Sequence, residues 1–275
     1  MTNRPFMNDP APGWKRDLTG PNEVPIVHLN SVLSTPVPSI LTEICMELPT
    51  STLKGRGALA WPGLSMIVVS MLLIYMVANL SVSEGPGLNT SSVVAALLAS
   101  LIALWGGIYI FRTDIAGPRD EPIRFNRARR KVYAYHFKRD WKRPLSQSAW
   151  GIRTAVYDWD DLHAEACEVY GALGAGGFMQ SIMLSVRRPG SRELLHRFMF
   201  SHSIYEGEQC WTLAQLFMQK GIKALPEFHG PMIDRNNASA PLNVFWCLAP
   251  KVQWPHELDV ESRTAPESDD ADSKR

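Results

Sequence analysis

The chain has 275 residues, 28 Lys or Arg against 27 Asp or Glu, a net charge of +1, and 45% hydrophobic residues. The near-neutral total hides a locally basic stretch, but its aromatics alternate as in a strand and no recognisable nucleic-acid motif appears, which argues against a nucleic-acid binder. Four scattered cysteines, Cys45, Cys167, Cys210 and Cys247, have no C-x-x-C spacing and read as free thiols, Cys167 and Cys210 as small core residues.

Residues 1–55 contain eight prolines before position 50 and little periodicity, and are expected to be a largely disordered cytosolic segment. Within it, Ser39 to Leu48 reads as one short helix, and the apolar residues from Ile26 to Leu48 can also supply an edge strand.

Residues 56–113 are the most informative part. Between Arg56 and Arg112 the only charge is Glu84. Ala58 to Leu80 is 23 residues long, which at 1.5 Å per residue exceeds a bilayer core of about 30 Å, and Val93 to Phe111 is 19. The Gly- and Ser-rich turn Ser81 to Ser92 makes them an antiparallel transmembrane hairpin, with Trp61 and either Tyr75 or Tyr109 as interfacial rings near the span ends. The apolar run starts too deep for a signal peptide. Neither span carries an ionisable residue, so a channel or transporter is poorly supported. Ala95, Ala99, Ala103 and Gly107 recur every four residues and predict a close-packing face, within the hairpin or against another copy or partner.

Arg112 to Pro144 then holds eleven Lys or Arg against four Asp or Glu, while the turn has no Lys or Arg. By the positive-inside rule both termini face the cytoplasm. Arg112, Arg119, Arg124, Arg127, Arg129, Arg130, Lys131, Arg139, Lys142 and Arg143 form a basic collar that can face anionic lipid, each residue near the surface contributing about 1 kcal/mol.

From Pro122 the hydrophobic period becomes two. Strands are expected at Ile123 to Phe125, Lys131 to Phe137, Gly151 to Tyr157, Ala164 to Tyr170, Phe178 to Val186 and Leu194 to Ser201. Glu206 to Leu225 follows as an amphipathic helix, stopped by Pro226. The fold class is therefore an α+β membrane protein: a transmembrane hairpin plus a pleckstrin-homology-like antiparallel β domain over residues 120–254, closed by its C-terminal helix. Residues 255–275 read as a disordered acidic tail.

The hairpin followed by PIRFNRARRKVYAYHF, YDWDDLHAE and CWTLAQLFMQKGIKALP resembles an uncharacterised family of proteobacterial inner-membrane proteins, some of them found near type VI secretion effector genes. The likeness covers roughly residues 55–230. It implies an accessory or immunity role and carries over no catalytic residue.

Three motifs bear on chemistry. Asp158, Asp160, Asp161 and His163 could hold a divalent metal or do acid/base work, although turn chemistry explains every member but His163. Gly171 to Gly177 lacks the Lys-Ser/Thr of a phosphate loop and precedes a strand, so it reads as a hairpin loop. His196 and His202 lack a third ligand, and no nucleophile motif surrounds Ser181, Ser185 or Ser201. No cofactor, metal or enzymatic activity is expected. The leading reading is a non-enzymatic inner-membrane protein that binds a protein partner, such as a secreted effector that it neutralises. A membrane-anchored scaffold or sensor for anionic lipid is the alternative, with an enzyme using Asp158, Asp160 and His163 third, and a homo-oligomer is compatible with each.

Overall fold

A computed structural model describes residues 4–25, 36–50, 57–83, 89–170, 177–228, 230–232, 234, 236–237 and 243–266. Gly171 to Gly176, the flanking Lys54 and Arg56, and much of the inter-span turn lie outside the described residues. The chain forms an α+β structure of two antiparallel sheets and two long apolar helices.

The N-terminal segment contributes strands β1 (Trp14–Asp17), β2 (Ile40–Leu41) and β3 (Cys45–Leu48). This corrects the helix expected at Ser39 to Leu48 and, for residues 4–25 and 36–50 alone, the disorder expected there; residues 1–3, 26–35 and 51–55 of that segment lie outside the described residues. Prolines forbid a long helix, but short stretches between them can add to an existing sheet edge, which satisfies their backbone groups. Helices α1 (Ala60–Ser83) and α2 (Thr90–Ala116) follow, each extending past the stretch marked by hydropathy. Then come β4 (Ile123–Asn126), β5 (Lys131–Lys138), β6 (Gly151–Asp158), β7 (Leu162–Tyr170), β8 (Phe178–Arg187) and β9 (Leu194–Ser201), within one or two residues of the periodicity reading. Helix α3 (Ile204–Lys220) is capped by Ser203, whose Oγ accepts from the Glu206 N–H. It stops at Gly221, where φ is +78°, a conformation an L side chain rarely adopts. Short helices α4 (Val244–Leu248) and α5 (His256–Arg263) complete the chain.

One sheet runs β1-β7-β8-β9 and the other β2-β3-β4-β5-β6. Inner faces meet around Phe125, Trp159, Phe200, Trp211 and Phe217, with the Trp159 and Trp211 ring centroids 5.0 Å apart. Helix α3 packs onto β8 and β9 and onto β3 and β4, closing the gap between the sheets.

Two features place the hairpin. β3 and β4 are antiparallel neighbours, with Leu48 opposite Ile123, and α1 and α2 are inserted between them. The segments before and after the hairpin therefore lie at the same end of it. In addition, both faces of β5 are buried. Val132 and Ala134 face the core, while Tyr133 and Tyr135 lie beneath the C-terminal segment: the Tyr133 hydroxyl donates to Glu261 Oε1 at 2.9 Å, and the Tyr135 ring lies 5.2 Å from Trp254. Residues 256–263 are thus a docked helix, which corrects the disordered tail expected there.

Candidate functional site

The base of the hairpin, where it joins the domain, concentrates the unusual chemistry. Along α1, Gly63, Ser70 and Val77 recur every seven residues, and along α2, Ser100, Gly107 and Asp114 do the same; all six are buried or half-buried. A seven-residue repeat marks a left-handed packing seam. A Cβ built on Gly63 would stand 2.6 Å from the Phe111 amide nitrogen and 3.0 Å from the Gly107 carbonyl oxygen, so the backbones touch there. The seam uses Gly107 and half-buried Ala103 but leaves Ala95 and Ala99 exposed, so the four-residue stripe is not the packing face within the hairpin. A strict four-residue step drifts around the helix, whereas a seam between two helices follows the seven-residue step.

Asp114 closes the base. Its Oδ2 accepts from the backbone N–H groups of Gly57 (2.8 Å), Leu59 (3.2 Å) and Ala60 (2.9 Å), so a carboxylate from the end of α2 caps the start of α1. Negative charge at a helix N-terminus is favourable because the first N–H groups have no intrahelical acceptor.

The ten residues of the expected basic collar have separate fates. Arg124 is only 2% exposed: its Nε donates to Glu47 Oε2 at 2.5 Å, its Nη1 to Asp259 Oδ1 at 2.6 Å and Ser262 Oγ at 3.0 Å, and its guanidinium lies 4.4 Å from the Trp254 ring. It joins β3, β4 and α5 and does not face outward. Arg130 pairs with Asp160, Arg139 with Glu121, and Lys131 lies 3.7 Å from Glu261. Arg112, Arg119 and Arg129 donate to the carbonyls of Pro144, Asn236 and Thr264, respectively, and Arg112 and Arg119 also stack over Trp150 and Trp246. Arg127 lies over Gly221. Lys142 and Arg143 are exposed and make no ion pair among the described residues.

The acidic cluster does not converge. Asp160 accepts from Arg130 and Asn22, with its carboxyl held below the usual range chiefly by the Arg130 hydrogen bond. Asp161 lies 3.9 Å from Arg187 and is pushed up by burial. Asp158 pairs through its backbone with Lys131. His163 is 7% exposed, stacks on Phe6 at 4.5 Å, and has Nε2 3.1 Å from Asp17 Oδ1 without hydrogen-bond alignment. Burial raises the Asp17 carboxyl, but the His163 imidazole beside it and the hydrogen bonds from the Trp14 indole and the Phe6 N–H outweigh it and hold it below its ordinary value. A cleft of about 610 Å³ opens beside this pair, lined also by Arg4, Arg187 and Arg192. Among the described residues no group of three or more His, Cys, Asp or Glu could hold a metal ion. His196 is occupied in a stack with Tyr157, ring centroids 5.9 Å apart.

Sequence reasoning passed over large apolar residues at the base. Trp141 and Leu145 in the β5–β6 loop are 64% and 67% exposed, and Val244 and Leu248 on α4 are also exposed. The available signal was an apolar residue standing inside a basic run. It also passed over Asp17, the partner of His163, which lies in the proline-rich segment.

The model of a family of unknown function, DUF6708, matches residues 100–266, from the middle of α2 to just past α5. The chain belongs to this family. Its match takes in α5 with Arg124 and Asp259, while Glu47, the other partner of Arg124, precedes it. No curated protein and no solved structure matches the chain.

Proposed function

We propose that this member of the DUF6708 family is a membrane-anchored, non-enzymatic interaction protein. Its hairpin crosses a bacterial inner membrane and holds the two-sheet domain at the cytoplasmic surface, where that domain binds a protein partner. The carrying observation is the exposure of the hairpin. Ala60–Leu80 and Thr90–Ala116 are long and apolar enough to span a bilayer, and Val69, Leu72, Leu98 and Ile102 point away from the protein. An apolar surface of that extent needs a non-aqueous medium or a partner. The insertion between β3 and β4 supports termini on one side, and the charge asymmetry supports the cytoplasmic one.

The order of strands followed by a closing helix supports a pleckstrin-homology-like domain. The likeness to proteobacterial proteins found near type VI effector genes supports a partner that is a toxic effector, with this chain as the immunity protein. The separate engagement of Asp160, Asp161 and His163 supports a binding role over catalysis. The test is a pull-down from detergent-solubilised membranes with neighbouring genes expressed, together with a deletion that retains the adjacent effector. One stoichiometric partner and poisoning of sister cells are expected; recovery of the chain alone with normal survival would refute the immunity role.

A scaffold or sensor for anionic lipid is the second reading. Lys142 and Arg143, exposed at the base of the hairpin without an acidic partner among the described residues, favour it.

A further inference from the structure

Helix α2 is accompanied by the domain well before it ends. The β5–β6 loop, residues 139–150, runs along it: the Trp105 Nε1 donates to the Trp141 carbonyl at 3.3 Å, Tyr109 meets Trp150 edge-on at 5.8 Å, and Arg112 donates to the Pro144 carbonyl. Trp105 and Arg112 are seven residues apart, about 10 Å along a helix. A hydrophilic domain thus sends one loop roughly two turns down the side of an apolar helix.

That loop has a fixed shape. Asp140 Oδ1 accepts from the Lys142 N–H at 3.0 Å, and the buried Trp150 indole donates to the carbonyls of Asp140 and Arg143, both at 3.1 Å. Ser146 Oγ accepts from the Ala149 N–H. With its backbone groups so engaged, the loop holds Trp141 and Leu145 outward, continuous with the exposed Trp105 on α2. Lys142, whose Nζ lies 5.8 Å from the Trp141 ring, and Arg143 are exposed on the same loop and make no ion pair among the described residues. A Trp and a Leu beside a lysine and an arginine match an interface in which apolar groups enter the acyl boundary and cations stay with the phosphates.

We propose that the β5–β6 loop is an interfacial wedge: Trp141 and Leu145 insert into the edge of an anionic leaflet, and Lys142 and Arg143 lie at its phosphates, fixing how the domain sits on the membrane. The occupant is lipid because the patch continues the lipid-facing surface of α2 at Trp105; a protein covering it would have to enter the bilayer beside that helix. On the opposite flank α4 repeats the arrangement. Phe245 packs on Trp61 and Phe111 at 5.3 and 6.2 Å, and Val244 and Leu248, four residues apart on one face, are exposed. The wedge rests on the reading of the hairpin as membrane-spanning.

Spin labels separate the two. In the full chain with Cys247→Ser, which leaves three buried thiols, single cysteines replace Leu145, Val69 and Arg188. Each protein is reconstituted into phosphatidylcholine vesicles with and without phosphatidylglycerol, and collisions with oxygen and with a nickel chelate are measured. The label at 145 is expected to show oxygen-rich, nickel-poor collisions intermediate between 69 in the hairpin and 188 on the aqueous β8–β9 turn. It should move deeper with phosphatidylglycerol, and Lys142→Glu with Arg143→Glu should abolish that gain. Nickel accessibility at 145 equal to that at 188, with 69 still in lipid, would overturn the wedge alone. An aqueous label at 69 would overturn the spanning hairpin and the wedge with it. A phosphatidylglycerol gain that survives the double substitution would overturn the phosphate contact.

Discussion

Replacing Arg124 by methionine tests whether this residue is an internal strut or part of a lipid-facing surface. The change keeps much of the side-chain bulk but removes the cation shared by Glu47 and Asp259. Stranding one partner of a buried ion pair costs about 3–5 kcal/mol. Asp259 retains Arg263 at 3.1 Å and is about a third exposed, so its own loss stays below about 1 kcal/mol. Glu47, 8% exposed, carries most of the cost, part of which it relieves by taking up a proton. The expected loss at pH 8 is therefore about 3 kcal/mol, which at an m-value of about 2 kcal/mol/M lowers the urea midpoint by about 1.5 M. The pH dependence has a definite sign. Burial, outweighing the pull of Arg124, raises the Glu47 carboxyl above its ordinary 4.5 even in the native protein. A raised folded value gives stability that is complete below the unfolded value and lost as pH rises through the folded one. Removing the arginine raises it further, so the deficit of Arg124→Met should be smaller at pH 5 than at pH 8. Urea unfolding of the full chain in mild detergent, followed by tryptophan fluorescence, measures this; Lys142→Met, on an exposed site, should stay within about 0.5 kcal/mol of the wild type. An unchanged midpoint for Arg124→Met, with a loss of anionic-vesicle affinity equal to that of Lys142→Met, would refute the strut.

The other expectations concern the hairpin and the thiols. Asp114→Ala removes one cap from three backbone N–H groups and should destabilise the α1–α2 junction by about 2 kcal/mol, seen as earlier thermal loss of helix signal in detergent, with Asp114→Asn intermediate. Gly63→Val should lower the same thermal midpoint because a Cβ there meets the Phe111 and Gly107 backbones, whereas Gly106→Val, which meets only the Met66 methyl at 3.7 Å, should be tolerated; equal effects would contradict the crossing. At pH 8 a thiol reagent should modify Cys247 alone in the native chain: Cys247 is exposed, while burial pushes Cys45 up to about 12 and Cys167 up to about 11, leaving thiolate on the order of one part in ten thousand and one in a thousand. Mass spectrometry of the labelled chain reads the count.

Periodicity located β4 to β9 and both apolar helices because in each case burial is decided within the segment itself. Lys131 to Phe137 places Tyr133, Tyr135 and Phe137 on one face and Val132 and Ala134 on the other, a two-residue period that marks the strand from its own residues. The N-terminal strands were harder to read for a physical reason. β1 has four residues and β2 two, and each exists because β7 or β3 offers an edge; Trp14 lies opposite Cys167, far away in sequence. Nothing within WKRD encodes that edge. Helix α5 left a trace that went unused: Tyr133 and Tyr135 put aromatic rings on the side of β5 away from the core, and such a face needs a cover. The cover was the segment whose polar composition pointed to disorder.

The basic collar shows most directly why charge patterns resist interpretation from sequence. Arg124 and Lys142 are both cations in one basic run, and nothing in that run distinguishes them. What separates them is the location of the nearest carboxylates: for Arg124 they are Glu47 and Asp259, 77 and 135 residues distant, brought together by β3 pairing with β4 and by α5 docking on the same sheet. Burial then converts a solvated charge into a strut whose loss is felt as stability. Lys142 has no acid partner among the described residues and stands beside an exposed tryptophan on a loop tied to α2. A charge acts on the surroundings only where the fold has left it unneutralised. The ten cations of the collar therefore reduce, at the hairpin base, to a small group on the β5–β6 loop that is free to meet a membrane.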